Sequence, residues 1–206
     1  MIKLNLMARY IGPKTKISRR FGESLFGEDK YFNRRKHLPV HYVSTRRRGK
    51  KSEYFFQLLE KQKTKYIYGI LECQFEKLFF EASRKRGITG ELLLQFCESR
   101  LDNIVFRLNL APSRSSARQL ISHKHIIVND CIVNIPSFRL KPKDKIIVKN
   151  KKHPVIIGSI ENKKLNLVDW LMLDEKNMFG EYISIPNRDQ IPENIKEQLI
   201  VELYSK

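Results

Sequence analysis

The 206-residue chain carries 40 Lys and Arg against 22 Asp and Glu, a formal charge of +18, with 41% hydrophobic residues. That length and apolar content support a real core in one or two domains and exclude a wholly disordered polyelectrolyte. No run of about 18 apolar residues occurs, so no membrane span is expected. The opening Met1-Ile2-Lys3-Leu4-Asn5-Leu6 is too short for a secretory leader. Cys73, Cys97 and Cys131 form no Cys-x-x-Cys pair, which argues against a disulfide scaffold or zinc knuckle and fits a reducing cytosol.

The charge is uneven along the chain. Residues 1–52 hold 15 basic and 3 acidic side chains, residues 53–90 hold 7 and 5, residues 91–153 hold 12 and 5, and residues 154–206 hold 6 and 9. Like charges repel, so two segments of +12 and +7 call for a polyanionic partner, with nucleic acid ahead of a membrane surface. In the first segment Tyr10, Phe21, Phe26, Tyr31, Phe32 and Tyr42 alternate with Lys14, Lys16, Arg19, Arg20, Arg34, Arg35 and Lys36. Aromatic and guanidinium planes stack on unpaired bases while cations neutralise phosphate. Gly12-Pro13, Gly22, Gly27 and Pro39 speak against long helices here. Arg46-Arg47-Arg48-Gly49-Lys50-Lys51 follows, able to hold a phosphate backbone without reading sequence; on composition alone it is equally a solvated charge run.

From Ser52 the spacing predicts helices. Phe55, Leu58, Leu59 and Gln62 mark one face, Tyr66 to Gly69 a break, and Leu71, Phe75, Leu78, Phe79 and Ala82 a second helix ending near Gly87. A third starts over Glu91 to Phe96. The acids on these helices are read as lysine partners, since no second polar cluster converges on them to make a catalytic site. Leu101, Ile104, Val105 and Leu108 form one helical stripe, and Arg100 and Arg107 share another face. Ser113 is placed to cap the next helix, with Ala117, Leu120 and Ile121 inward and Arg114 and Arg118 outward. Ile126-Ile127-Val128 and Ile132 to Ile135 read as strands joined by an Asn129-Asp130 turn. Phe138 to Leu140 and Lys145 to Val148 read as further strands about a turn at Lys141 to Asp144. The helix start, Arg114, Arg118, His123, Lys124 and the basic turn then compose one phosphate-binding surface. His123 and His125 have only Cys131 nearby as a further metal ligand, so a surface or RNA-contacting role is preferred over metal. Cys97 and Cys131, among apolar neighbours, are expected to be buried.

Glu98-Ser99-Arg100-Leu101-Asp102-Asn103 followed by Ser113-Arg114-Ser115-Ser116-Ala117-Arg118-Gln119-Leu120-Ile121 resembles the RNA-binding module named after ribosomal protein four of the small subunit. The likeness extends along the chain. Met7-Ala8-Arg9-Tyr10-Ile11-Gly12-Pro13 resembles that family's usual start, and Ser52-Glu53-Tyr54, Glu60-Lys61-Gln62-Lys63 and Tyr68-Gly69 with Gln74-Phe75 its helical domain. Ile191-Pro192-Glu193-Asn194-Ile195 and Leu199 to Lys206 resemble its ending. Residues 1–6 precede the usual start, Pro39-Val40-His41-Tyr42 stands in place of a Pro-x-Gly-Gln-His-Gly loop, Cys73 replaces a common arginine, and the arm has none of the cysteines through which some members bind zinc.

The resemblance implies an α+β fold: a basic arm over 1–52, a helical domain over 53–97 completed by a C-terminal helix at about 186–206, and a module over 98–185 with its core at 98–152 and an acidic extension. It implies a non-enzymatic, cofactor-free and metal-free constituent of the small ribosomal subunit, in the cytoplasm or an organelle. Such a protein binds small-subunit rRNA early, nucleates its 5′ domain, lines the mRNA entry channel and influences accuracy with ribosomal protein five. The implied rRNA contacts are Arg9, Tyr10, Arg19, Arg20, Arg100, Arg107, Arg114, Arg118, His123 and Lys124. Those at the mRNA entry are Arg46, Arg47, Arg48 and Lys50. No membrane or small-molecule substrate is expected. The rival readings are an RNA-modifying enzyme carrying the same module, which would need a catalytic domain beyond residues 154–206, and a loosely bound ribosome-rescue factor.

Overall fold

The computed structural model describes residues 10–27, 29–36, 52–150, 153–162, 167–174 and 177–205. In chain order these form α1 (Lys14–Phe21), α2 (Lys30–Arg34), α3 (Glu53–Tyr68), α4 (Glu72–Ser83), α5 (Thr89–Glu98), α6 (Leu101–Arg107) and α7 (Arg114–Ser122). Then come β1 (Ile126–Val128), β2 (Cys131–Ile132), β3 (Lys145–Val148), α8 (Pro154–Asn162), β4 (Leu171–Asp174), β5 (Phe179–Tyr182), a 3-10 turn (Arg188–Gln190) and α9 (Glu197–Tyr204). The fold is α+β, as the sequence predicts. The chain divides into two compact units, Met1–Glu81 with Ile195–Lys206, and Ala82–Asn194.

In the first unit α3 begins at Ser52, whose side chain accepts from the Phe55 amide, and ends at Gly69, whose φ of 63° closes the helix in the left-handed region that glycine tolerates. The helix therefore runs through the expected break at Tyr66 and stops at Tyr68. Helix α9 packs on α3: the Gln57 amide donates to Glu202 at 3.1 Å, and Tyr204 stacks on Phe79 with ring centroids 4.3 Å apart. Glu72 accepts from Lys61 at 2.7 Å and Lys65 at 2.6 Å, the lysine pairing expected of these acids.

In the second unit α6 and α7 pack on an antiparallel sheet of order β2-β1-β3-β5-β4. Leu101, Ile104, Val105 and Leu108 of the α6 region are buried with Ala117 and Ile121 of α7, Ile126, Ile146 and Tyr182 of the sheet, and Trp170 just before β4. Ser113 caps α7 by accepting from the Ser116 amide at 3.2 Å. Asn129 and Asp130, at φ 47° and 67°, make the turn between β1 and β2. Three local expectations need correction. Phe138 to Leu140 is not a strand; the Phe138 and Pro136 carbonyls instead accept the amides of Leu101 and Asp102, satisfying donors that the start of α6 would leave unpaired. Helix α4 stops at Ser83 rather than near Gly87. Cys131 is exposed on the edge strand β2, whereas Cys97 is buried.

Candidate nucleic-acid interface

The six residues from Glu98 to Asn103 join α5 to α6, and their polar side chains turn inward. Glu98, with no exposed side-chain surface, accepts from Asn103 Nδ2 at 2.6 Å and from Arg107 Nη2 at 2.9 Å and Nε at 3.2 Å. Asp102 receives Arg100 in a two-pronged pair at 3.1 and 2.8 Å and Arg118 Nη2 at 2.7 Å. Arg114 donates through Nε to the Asn103 side-chain oxygen at 2.8 Å, and Glu193 accepts from both Arg107 and Arg114. Four guanidinium groups thus meet three carboxylates inside the module. Burying a charge is tolerable only when it is paired and its hydrogen bonds are satisfied, and this network meets both conditions.

The network decides which predicted cations reach solvent. Arg100 and Arg107, read from the sequence as sharing an accessible face, are 4% and 5% exposed. Their partners Glu98 and Asp102 lie within the same motif, so these two arginines brace α6. Arg114 and Arg118 do lie together on α7, with side chains 16% and 15% exposed, more than those of Arg100 and Arg107 and oriented by the same network. The Arg114 guanidinium also stands 4.6 Å over the Phe106 ring. His123 and Lys124, at the end of α7, are exposed, as are Lys141, Lys143, Lys145 and Lys149 along the sheet and its turns. Of these, Lys141, Lys143 and Lys145 belong to the predicted basic turn and its strand.

Lys149 is a basic neighbour that sequence spacing did not bring to His123. Its amide donates to the His125 carbonyl at 2.9 Å, setting it beside the three imidazoles of His123, His125 and His153. Burial first, then the charges of His153, His123 and Lys149, lowers the pKa of His125 below that of a free imidazole. Among the described residues no group of three or more His, Cys, Asp or Glu is placed to hold a metal ion. Arg139 stands 4.4 Å over the Phe96 ring and Lys85 4.5 Å from it, two further cations whose approach to one buried ring no periodicity signals. Cys97, pushed up to about 12 by burial, is no nucleophile.

In the first unit, Tyr10 is 38% exposed and meets Tyr66 edge-on at 5.3 Å. Arg19 spans from α1 to α2, donating to the carbonyls of Arg35 at 2.9 Å and Tyr31 at 3.1 Å, while Arg20 is exposed. Arg9, Arg46, Arg47, Arg48 and Lys50 lie outside the described residues.

A helix pair locked onto a small sheet, with a cationic rim carried on a buried arginine–carboxylate frame, defines a nucleic-acid-binding module attached to a basic helical unit. Residues 9–98 match the family described as Ribosomal protein S4/S9 N-terminal domain, and residues 99–146 match the S4 domain. A small ribosomal subunit protein uS4 of Christiangramia forsetii is 55% identical over 97% of this chain and 100% of its own length. Those of Karelsulcia muelleri and Porphyromonas gingivalis are 60% and 52% identical over the same shares. The chain belongs to the uS4 family of small ribosomal subunit proteins. Membership makes it a structural component of the ribosome with an RNA-binding domain, not an enzyme.

Proposed function

We propose that the chain is a primary binder of small-subunit rRNA that joins the particle early and orders the 5′ domain. It also contributes Arg46, Arg47, Arg48 and Lys50 to the mRNA entry channel and tunes accuracy beside ribosomal protein five, in cytoplasmic ribosomes. The observation that carries the reading is the rim of Arg114, Arg118, His123 and Lys124 on a rigid frame, within a chain that matches its family from end to end. Tyr10, Arg19, Arg20 and Arg9 of the basic arm add contacts. Arg100 and Arg107 serve the interface indirectly, by holding α6 under α7. The acidic C-terminal stretch suits a protein neighbour better than a phosphate backbone.

Filter binding of the full chain to a transcript of the rRNA 5′ domain across a salt series tests this. The log of the affinity should fall by about 0.7–0.9 per log unit of salt for each phosphate neutralised. Lys124→Ala should weaken binding and reduce that slope by about one contact, while Arg46, Arg47, Arg48 and Lys50 changed together to Ala should slow reading of structured mRNA. No binding at cell-like salt, or loss of the protein from small subunits on a high-salt wash, would refute the reading.

A further inference from the structure

The arm contributes six aromatic side chains to the sequence pattern, and folding treats them differently. Phe32 is buried at 5% exposure. Phe21 lies 6.1 Å from Tyr66, Tyr10 lies 5.3 Å from the same ring, and the Lys14 ammonium stands over Phe26. Tyr42 lies outside the described residues. Tyr31 differs from all of these: it is 70% exposed, and no ring or cation of the described residues partners it. Its backbone, by contrast, is held from both sides. Asp29 accepts from the Tyr31 amide at 2.9 Å and is itself anchored by the Thr15 hydroxyl of α1. The Tyr31 carbonyl accepts from Arg19 at 3.1 Å and from the Arg35 amide at 3.3 Å. The ring therefore projects into water from a fixed base.

We propose that Tyr31 is a stacking platform for one unpaired nucleobase of the bound RNA. The inference rests on the rRNA-binding reading above and adds the ligand and the contact at this surface. A base presents a flat π face of matching size, and an exposed ring already fixed at its backbone loses little freedom on stacking. The surroundings agree with a nucleotide rather than an apolar protein face. Lys30, Arg34, Arg35 and Lys36 are all exposed on or beside the same five-residue helix, and Arg34 sits three residues on, on the same side as the ring. Those cations suit the phosphates flanking a splayed base, whereas an apolar partner would have to desolvate them. Paired bases in an A-form helix cannot offer a free face, so the target is a loop, bulge or junction.

The test uses the full chain and the 5′-domain transcript. Tyr31→Ala should weaken binding about tenfold, the effect of removing one stacked base, with the thermal midpoint little changed because the residue is 70% exposed. The salt slope should also hold, since no cation is removed. Tyr31→Phe should bind as the parent does, and Tyr31→Leu should fall with Tyr31→Ala because it keeps apolar volume but lacks the π face. A photoreactive phenylalanine analogue at position 31 should crosslink to a single unpaired nucleotide in the assembled subunit. Parent-like binding by Tyr31→Ala or Tyr31→Leu, an equal loss in Tyr31→Phe, or a crosslink to protein instead of RNA overturns the proposal while leaving the rRNA reading intact. Failure of the parent chain to bind the transcript overturns both.

Discussion

Replacing Glu98 by Leu tests whether the buried arginines are held by their carboxylates. Glu98 has no exposed side-chain surface and accepts three hydrogen bonds, two from Arg107 and one from Asn103. Without it, Arg107 at 5% exposure retains Glu193, a carboxylate already shared with Arg114. Asn103 keeps the Glu98 backbone carbonyl at 3.2 Å. Removing one member of a buried ion pair costs about 3–5 kcal/mol; the remaining carboxylate puts this case at the low end, about 3 kcal/mol. A domain has about 5–15 kcal/mol in total, so the loss is large, equivalent to a fall in Tm of about 6–12 °C. Adding Arg107→Met should return at least half of it, because the buried cation that lacked a full partner is gone. Trp170 is the chain's single tryptophan and is 1% exposed in the same core, so its emission during urea unfolding follows this unit. A loss below about 1 kcal/mol, or a double variant no more stable than Glu98→Leu alone, would refute the claim that the network is electrostatically closed.

Two further outcomes bear on local devices. Ser113→Ala should destabilise the second unit by about 1 kcal/mol by uncapping α7, and Ser113→Asp should not, both read from Trp170 emission. Glu72 has its pKa lowered: partial burial opposes ionisation, but hydrogen bonds from Lys61 and Lys65 outweigh it. A carboxyl more acidic in the folded state contributes stability that is complete above its unfolded value, near 4.5, and is lost as pH falls through the folded value. Far-UV circular dichroism on acid titration should therefore show a shallower loss of helix below that pH in Glu72→Gln than in the parent; identical curves would remove Glu72 from the account.

How much of this was legible in the sequence follows from how local each determinant is. Ser113 as a cap and Asn129-Asp130 as a turn depend on two to four residues, and both stand in the structure as read. The helix over Leu101 to Arg107 follows from a stripe of apolar residues at helical spacing. Periodicity gives a face but not what lies against it, which is why Arg100 and Arg107 read as accessible. Arg100 pairs with Asp102 and Arg107 with Glu98 within one short motif, and Arg107 is completed by Glu193, 86 residues away, a distance no window spans. The pairing of β5 with β3 was hidden for the same reason. Phe179 opposes Ile147 and Gly180 opposes Ile146, and an acidic stretch with short apolar runs gives no sign of completing a basic module's sheet. Gly180 shows the closeness that results: a Cβ there would stand 2.6 Å from a Leu108 methyl, so a larger residue would have to push that side chain aside. Cys131 misled because apolar neighbours suggested burial, whereas β2 is a two-residue edge strand with both side chains exposed.

The burial of the arginine–carboxylate pairs beneath exposed cations has a consequence for the salt response of the whole molecule. Pairs inside the module, such as Arg100–Asp102 and Arg107–Glu98, are shielded from counterions, whereas screening acts within about 10 Å at 0.1 M on charges exposed to solvent. Raising the ionic strength should therefore weaken phosphate contacts at the exposed Lys124 and His123 while the buried frame beneath them persists. The guanidinium groups of Arg114 and Arg118 are already oriented by Asn103, Glu193 and Asp102 before any RNA arrives. Less side-chain freedom then remains to be lost on binding than at a flexible lysine. On the proposed reading, an α7 surface built in this way would select a phosphate arrangement by geometry as well as by charge, which a disordered basic tail of equal net charge cannot do.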